Sequence, residues 1–180
     1  KLATLEQFSK AEINLLHQAW DKGINAPLNS SMGRLFDAVA SFADIVHVSS
    51  FEGESGLLME QYIDEEITES FPFEIDNGII NLQSMVEEMI EMEDKKEIVS
   101  RFFNTVTEII FQIATIYPAL PLLFSGGVFQ NKVLVEKISR RCKEENRTYY
   151  FQNDTAINDG GVALGQAWYA LHHLSAQDAH

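Results

Sequence analysis

A short apolar segment that ends at two glycines and continues as an amphipathic helix constrains the fold of this chain most. Residues 120–124 have the length of a strand, Gly126 and Gly127 follow Ser125, and residues 132–141 carry apolar side chains at helical spacing. Such a turn presents backbone N–H groups at a helix N-terminus, which favours an anion such as phosphate. The same residues fit an ordinary strand–helix turn equally well. No Lys-Ser or Lys-Thr pair follows, so the segment is not a P-loop.

The last third of the chain alternates strands and helices, which predicts an α/β fold. We predict a strand over 120–124, a helix over 129–144, a strand over 148–151 and a final helix that begins near Asn158. A long apolar helix over 95–117 precedes them, and we expect it to be buried against their sheet. Asp159 at the start of the final helix either caps that helix, the more frequent role, or ligates a cation.

The first part of the chain reads as helices. Ser9 and Glu12 form a capping box before a helix that ends near Gly23, and Ser30 or Ser31 caps a second helix. Gly33 has no propensity reason to lie in the first turn of that helix, and it suits close approach of a ligand or of another backbone. Asp37, one turn later, projects from the same side. It is either a solvated carboxylate or an acceptor for a ribose or a base.

The next segment contains the clearest hairpin signal. Residues 71–75 and 79–82 are separated by a turn that includes Asn77 and Gly78. A loop over 47–54 and a helix over 55–68 precede this hairpin, and a short helix over 83–92 follows it.

Composition excludes several classes of protein. With 180 residues and 46% hydrophobic content, the chain can form a single ordered domain over residues 1–180. The net charge is −14, and residues 35–94 hold 16 Asp and Glu but no Lys or Arg. We therefore expect no nucleic-acid partner; the acidic stretch is a solvated surface or a docking face for a basic partner. No stretch has the roughly 18 consecutive apolar residues of a membrane helix.

The single cysteine, Cys142, excludes an internal disulfide and fits a reducing compartment. Its basic neighbours, Arg140, Arg141 and Lys143, could lower the pKa of the thiol.

Three segments in a fixed order, residues 25–40, 123–131 and 158–166, resemble the C-terminal region of the HypF family of hydrogenase-maturation carbamoyltransferases. Residues 102–105 on the long helix also resemble that family. The resemblance covers residues from about 25 to 170. It implies an ASKHA (actin-like ATPase) fold, a mixed sheet with several flanking helices. The chain would be the C-terminal lobe of a carbamoyltransferase domain in a larger, multidomain cytoplasmic protein.

The resemblance also implies a reaction. Family members make carbamoyl-adenylate from carbamoyl phosphate and ATP, and transfer the carbamoyl group to the C-terminal cysteine of the partner HypE. By the same resemblance, the phosphates would bind at Gly126, Gly127 and Asn131. Gly33 and Asp37 would reach the ribose and base, and Asp159 would ligate an iron or zinc ion.

Some positions depart from the family pattern. Asn29 stands where the family usually has Thr, and Ala156-Ile157 where it has a Pro-Pro pair. The metal site also needs an HxxxH pair, and the histidines here supply none: His17, His47, His172, His173 and His180. We therefore expect the segment alone to bind metal and nucleotide weakly and to be inactive. A small-molecule O-carbamoyltransferase lobe and a non-catalytic docking module remain alternatives, and the metal, the acceptor and the oligomeric state stay open.

Overall fold

The structure is a computed structural model that describes residues 3–177, and these residues fall into two compact units. The first unit ends at Ile113 and the second begins at Ala114. His180, one of the five histidines considered above, lies outside the described residues. The assignment of residues 1–180 to a single domain stays a prediction.

The first unit is mainly helical. It contains α1 (Ala3–Glu6), α2 (Lys10–Asp21), α3 (Met32–Phe42), α4 (Glu54–Met59), β1 (Glu74–Asp76), β2 (Ile79–Asn81), α5 (Gln83–Met89) and most of α6 (Lys95–Ile116). The capping box of Ser9 and Glu12 on α2 is confirmed, and Ser31 caps α3. The hairpin is confirmed too, with Asn77 and Gly78 both at positive φ in its turn.

Aromatic packing between α3 and α6 forms the core of this unit. The Phe36 ring lies 4.9 Å from the Phe102 ring and 5.4 Å from the Phe103 ring, in edge-to-face arrangements. Phe36, Val39 and Ala40 make up the buried face of α3. Gly33 and Asp37 are only half-buried, so they lie beside this buried face and not within it.

The predicted helix over 55–68 is wrong in its second half. Helix α4 ends at Met59, a 3₁₀ turn follows over Glu60–Tyr62, and the chain then runs beside α6. Polar side chains of α6 hold this segment. The Ser100 hydroxyl accepts from the Asp64 N–H at 2.8 Å, and the Asn104 side chain donates to the backbone carbonyls of residues 67 and 69, both at 2.9 Å. These tertiary hydrogen bonds replace the ones a helix would have made, so local propensity is overridden.

The C-terminal end of α3 is held by charged and polar contacts. Asp44 follows the helix at a φ of 54°, and its carboxylate lies 2.9 Å from His47 Nε2 and 3.1 Å from Lys95 Nζ. These partners hold the pKa of Asp44 below its usual value, with the His47 hydrogen bond as the largest cause and Lys95 next.

The second unit is built on a parallel pair of strands. Strands β3 (Leu122–Phe124) and β4 (Tyr149–Phe151) pair in register, and α7 (Lys132–Glu144) lies between them in sequence. One face of the pair carries a cluster in which the Phe124 ring stacks on Phe151 at 4.9 Å and lies 5.1 Å from Phe129. The final helix, α8 (Val162–Gln177), begins after a 3₁₀ turn over Asp159–Gly161.

One arginine holds the entrance to β3. The Arg147 guanidinium donates to the carbonyl of Ala114 at 2.7 Å and to that of Tyr117 at 2.6 Å. The Ala114 carbonyl lies in the last turn of α6 and the Tyr117 carbonyl follows that helix. Both also accept from backbone N–H groups, those of Tyr117 and Leu120, so the guanidinium adds a charged donor at the C-terminal end of α6. The contact joins Arg147, two residues before β4, to the segment that leads into β3.

The α/β class is confirmed, with the strands divided between the antiparallel hairpin and the parallel pair. Among the described residues, no helix is both long enough and apolar enough to span a membrane.

The expectation for Cys142 is wrong: its side chain is fully buried on the inner face of α7, and burial raises the pKa of its thiol, with a further contribution from Glu145. The sequence neighbours are basic, but the helix directs the thiol inward.

Candidate phosphate and metal site

The Gly-Gly turn follows β3 directly and begins a 3₁₀ turn over Gly127–Gln130. Gly126 has a φ of 111°, which a residue with a side chain rarely adopts, so the backbone conformation explains why this position is a glycine. Gly127 has no such reason. A Cβ there would meet its nearest neighbour, Asn158 Cβ, at an ordinary 3.8 Å. Intrachain packing therefore leaves Gly127 unexplained, whereas approach of a ligand to the backbone would explain it.

The turn lies beside the start of the final helix. The Gly126 N–H donates to the Ile157 carbonyl at 2.8 Å, and a Cβ placed on Gly127 would lie 3.8 Å from Asn158 Cβ, so Asn158 is close to this turn. The chain after β3 and the chain after β4 are thus joined at the carboxyl ends of two parallel strands. Ligands of open α/β sheets bind in this position.

Glycines also shape the turn that carries Asp159. Asn158 caps it by accepting from the Gly160 N–H at 3.0 Å. At Gly161 a Cβ would lie 2.5 Å from the Ala156 carbonyl oxygen, so only glycine fits without a shift of the backbone. The turn is therefore specified residue by residue. Asp159 is exposed on this turn. The sequence left two roles open for Asp159, helix cap or cation ligand, and in the structure the cap is Asn158.

Asn131 has a structural task. Its Oδ1 accepts from the Leu134 N–H at 2.9 Å and caps α7, and the residue is only 8% exposed. A phosphate-binding role for this side chain stays a prediction; the cap itself fixes where α7 begins after the Gly-Gly turn.

Gly33 and Asp37 lie one turn apart on α3 in the first unit, as predicted from their spacing. A Cβ at Gly33 would meet only Ser31 Oγ, at 3.6 Å, so alanine would fit there too. Asp37 forms an ion pair with Arg34 at 3.2 Å that is exposed enough to be worth little. Packing within the described residues therefore explains neither the glycine at position 33 nor the carboxylate at position 37. Their convergence with the second unit stays a prediction.

Gln152, a polar residue of the second unit that lies near the Gly-Gly turn, was not singled out from the sequence. Gln152 directly follows β4, its side chain contacts Thr155, and its Oε1 accepts from the Ser125 hydroxyl at 3.3 Å. It therefore links the loop after β4 to the residue before the glycines. A polar side chain immediately after a predicted strand was the available signal.

The described residues contain no group of three His, Cys, Asp or Glu side chains that could hold a metal ion. The exposed carboxylate of Asp159, beside the Gly-Gly turn, suits a single oxygen ligand for a cation. The donor set therefore fits one ligand of a shared site, and further ligands would have to come from another part of a longer protein.

Comparisons with known proteins assign the chain to a class. Residues 1–166 match the family model described as "Carbamoyltransferase, Kae1-like Domain, second subdomain". The chain is 28% identical to full-length HypF in a phosphate- and nucleotide-bound crystal structure, with a TM-score of 0.81 over 91% of this chain and 23% of that one. T. kodakarensis HypF, at 22% identity and a TM-score of 0.72 over 97% and 24% of the two chains, supports the same fold. The class is therefore a Kae1-like carbamoyltransferase subdomain.

Curated relatives narrow this class to one family. The chain is 29% identical to carbamoyltransferase HypF of Synechocystis sp. over 84% of this chain and 20% of the relative. It is 26% identical to the probable carbamoyltransferase HypF of Methanocaldococcus jannaschii, over 88% and 22%. The chain belongs to the HypF family of carbamoyltransferases. It spans about a fifth of the length of these relatives.

Proposed function

We propose that this chain supplies one side of the site in which a HypF-type protein forms carbamoyl-adenylate from carbamoyl phosphate and ATP. The observation that carries the proposal is the junction of the Gly-Gly turn with the Asp159 turn at the ends of β3 and β4. The similar HypF crystal structure was obtained in a phosphate- and nucleotide-bound form, which supports a nucleotide as the ligand. In a larger, cytoplasmic protein the carbamoyl group would pass to the C-terminal cysteine of a HypE-like partner, for hydrogenase maturation.

The residues of the second unit would act by binding and orienting. Backbone N–H groups of the 3₁₀ turn that begins at Gly127 would donate to phosphate oxygens, because the first N–H groups of a helix lack intrahelical partners. The Gly126 N–H is already engaged by the Ile157 carbonyl. Gly127 would let those oxygens approach the backbone. Such fixed donors stabilise negative charge that develops on phosphate during adenylation. No described side chain is assigned as a nucleophile or base, so catalysis would depend on positioning.

Asp159 would hold an iron or zinc ion together with ligands from outside this chain. When bound, such an ion supplies positive charge that neutralises phosphate and polarises a carbonyl oxygen. The chain's own contribution is the geometry that presents the Asp159 carboxylate: the Asn158 cap and the close approach at Gly161. In the proposed reaction, carbamoyl phosphate, ATP and water are converted to carbamoyl-adenylate, phosphate and pyrophosphate.

In α3, Gly33 and Asp37 would contact the ribose and base of the nucleotide. Two observations support this part of the proposal: alanine would fit at Gly33, and the partner of the half-buried Asp37 carboxylate is the exposed Arg34 side chain. Replacing Gly33 by Ala should therefore keep or raise stability, by up to about 1 kcal/mol, while it weakens nucleotide binding.

The test uses the full-length protein and measures pyrophosphate release from ATP that depends on carbamoyl phosphate. Asp159→Asn should lower this rate by at least about 100-fold, because the loss of a group that only orients a metal ligand already costs about 10–100-fold. Asp154→Asn is the matched control, because Asp154 is exposed in the same loop, and it should leave the rate unchanged. Gly127→Ala should raise the KM for ATP in a protein that remains folded.

The proposal would be refuted if Asp159→Asn and Asp154→Asn were equally active, or if Gly33→Ala and Gly127→Ala both bound ATP normally. The 180-residue chain by itself should bind ATP more weakly than micromolar and transfer no carbamoyl group. Micromolar affinity or turnover by this chain would contradict its assignment as part of a shared site.

A further inference from the structure

The final helix carries a surface that this chain leaves uncovered. Residues 162–173 of α8 are all exposed, including Trp168 at 64% and Leu171 at 69%. No Asp, Glu, Lys or Arg occurs anywhere in α8, Val162–Gln177. An exposed helix normally carries charges on its outer face, and a helix that is apolar all round is normally buried. The composition of α8 is thus that of a buried helix.

The parallel strand pair is uncovered in the same way. Leu123 and Tyr150 are register partners on adjacent strands, and they are 75% and 58% exposed. Among the described residues, neither β3 nor β4 pairs with a further strand. Parallel sheets almost always have both faces covered and more than two strands. The second unit therefore contains part of a sheet that lacks one covering layer.

A glycine on α8 points to close packing. Gly165 lies in the helix interior, where glycine costs about 0.5–1 kcal/mol relative to alanine. A Cβ there would have nothing within 4 Å. Nothing in the part of the chain that the structure describes explains the glycine, and a closely approaching backbone from outside would. This observation is independent of the missing charges.

We propose that the first subdomain of the same Kae1-like domain packs against α8 and the exposed face of β3 and β4. The matching family model is that of a second subdomain, and the relatives are about four times as long as this chain, so they contain the chain length that a first subdomain needs. The surface lacks charge, as obligate interfaces do at their centre. The exposed apolar side chains that this subdomain would cover include Leu123 and Tyr150 on the strands and Leu164, Trp168 and Leu171 on α8.

The first test compares hydrogen exchange in the full-length protein with exchange in the 180-residue chain. Peptides that cover 162–173 and 149–151 should exchange at least about 100-fold more slowly in the full-length protein, because a packed helix opens far less often than an unsupported one. Equal exchange in both proteins would overturn the proposal. So would equal slowing on raising the concentration of the 180-residue chain, since a second copy would then cover the surface.

Variants of the full-length protein form the second test. Trp168→Glu should return exchange at 162–173 toward the rate of the 180-residue chain. Trp20→Glu is the control, because Trp20 is equally exposed, at 68%, but lies on α2, which carries Lys10, Glu12 and Asp21. Exchange at 162–173 should not change in that variant. If Trp168→Glu behaved like Trp20→Glu, the proposed interface would be excluded. These readouts measure packing, so they do not depend on whether carbamoyl transfer is observed.

Discussion

Replacing Gly161 by alanine tests the geometry of the Asp159 turn most directly. The new Cβ would lie 2.5 Å from the Ala156 carbonyl oxygen. Gly165 lies one turn further along the same region of chain, and a Cβ there has no neighbour within 4 Å. The two positions therefore receive the same chemical change in opposite surroundings, which makes Gly165→Ala the matched control.

The expected sizes follow from these distances. Real Cβ contacts are essentially never shorter than 3.0 Å, so the backbone near Ala156 must move by at least 0.5 Å. Ile157 is the next residue, and its carbonyl accepts from the Gly126 N–H, so the movement also strains the contact with the Gly-Gly turn. Overpacking of this kind costs about 1–3 kcal/mol. Gly165→Ala should stabilise the 180-residue chain by about 0.5–1 kcal/mol through helix propensity.

Hydrogen exchange of the second unit is the suitable assay, because a chain with two compact units need not unfold in a single step. Peptides over 149–161 should become less protected in Gly161→Ala and no less protected in Gly165→Ala. If both variants changed stability in the same direction, or if Gly161→Ala were neutral, the close approach of the Ala156 carbonyl would be refuted. In the full-length protein, Gly161→Ala should also reduce pyrophosphate release, because it displaces Asp159.

Three further predictions concern individual side chains. Asn131→Ala should destabilise the second unit by about 0.5–2 kcal/mol, with Asn131→Asp as the control that retains the cap of α7, and equal hydrogen-exchange protection of α7 in both variants would contradict the cap. Because the folded-state pKa of Asp44 is lowered, its stabilisation is present above the unfolded-state value of about 3.9 and is lost as pH falls through the lower folded-state pKa. Asp44→Asn should therefore reduce the loss of unfolding free energy between about pH 5 and 2, and an unchanged pH profile would contradict this. Cys142 should react with a thiol reagent at neutral pH only on unfolding, because burial raises its pKa; rapid labelling of the folded chain would contradict its position.

Local signals in the sequence predicted most of the elements. The capping box of Ser9, the Asn77-Gly78 turn and the apolar spacing of α6 each act through residues a few positions apart, so they can be read without a fold. The sequence also marked the two glycine-bearing helix starts and Asp159. It could not separate the glycines by role. Gly126 is required by its φ, whereas Gly127 is not, and this difference depends on the three-dimensional path of the chain.

Contacts between distant residues decided the rest. The segment after Met59 left its helix because Ser100 and Asn104 on α6 offered hydrogen bonds to its backbone, and nothing near residue 60 encodes those partners. Cys142 lies among basic residues in the sequence but on the buried face of α7 in the structure. The sequence alone determined the local elements, their caps and the family, since these depend on short-range patterns. The tertiary structure decided which side chains are buried and brought the turns after β3 and β4 together, because burial and pairing arise only when remote segments meet.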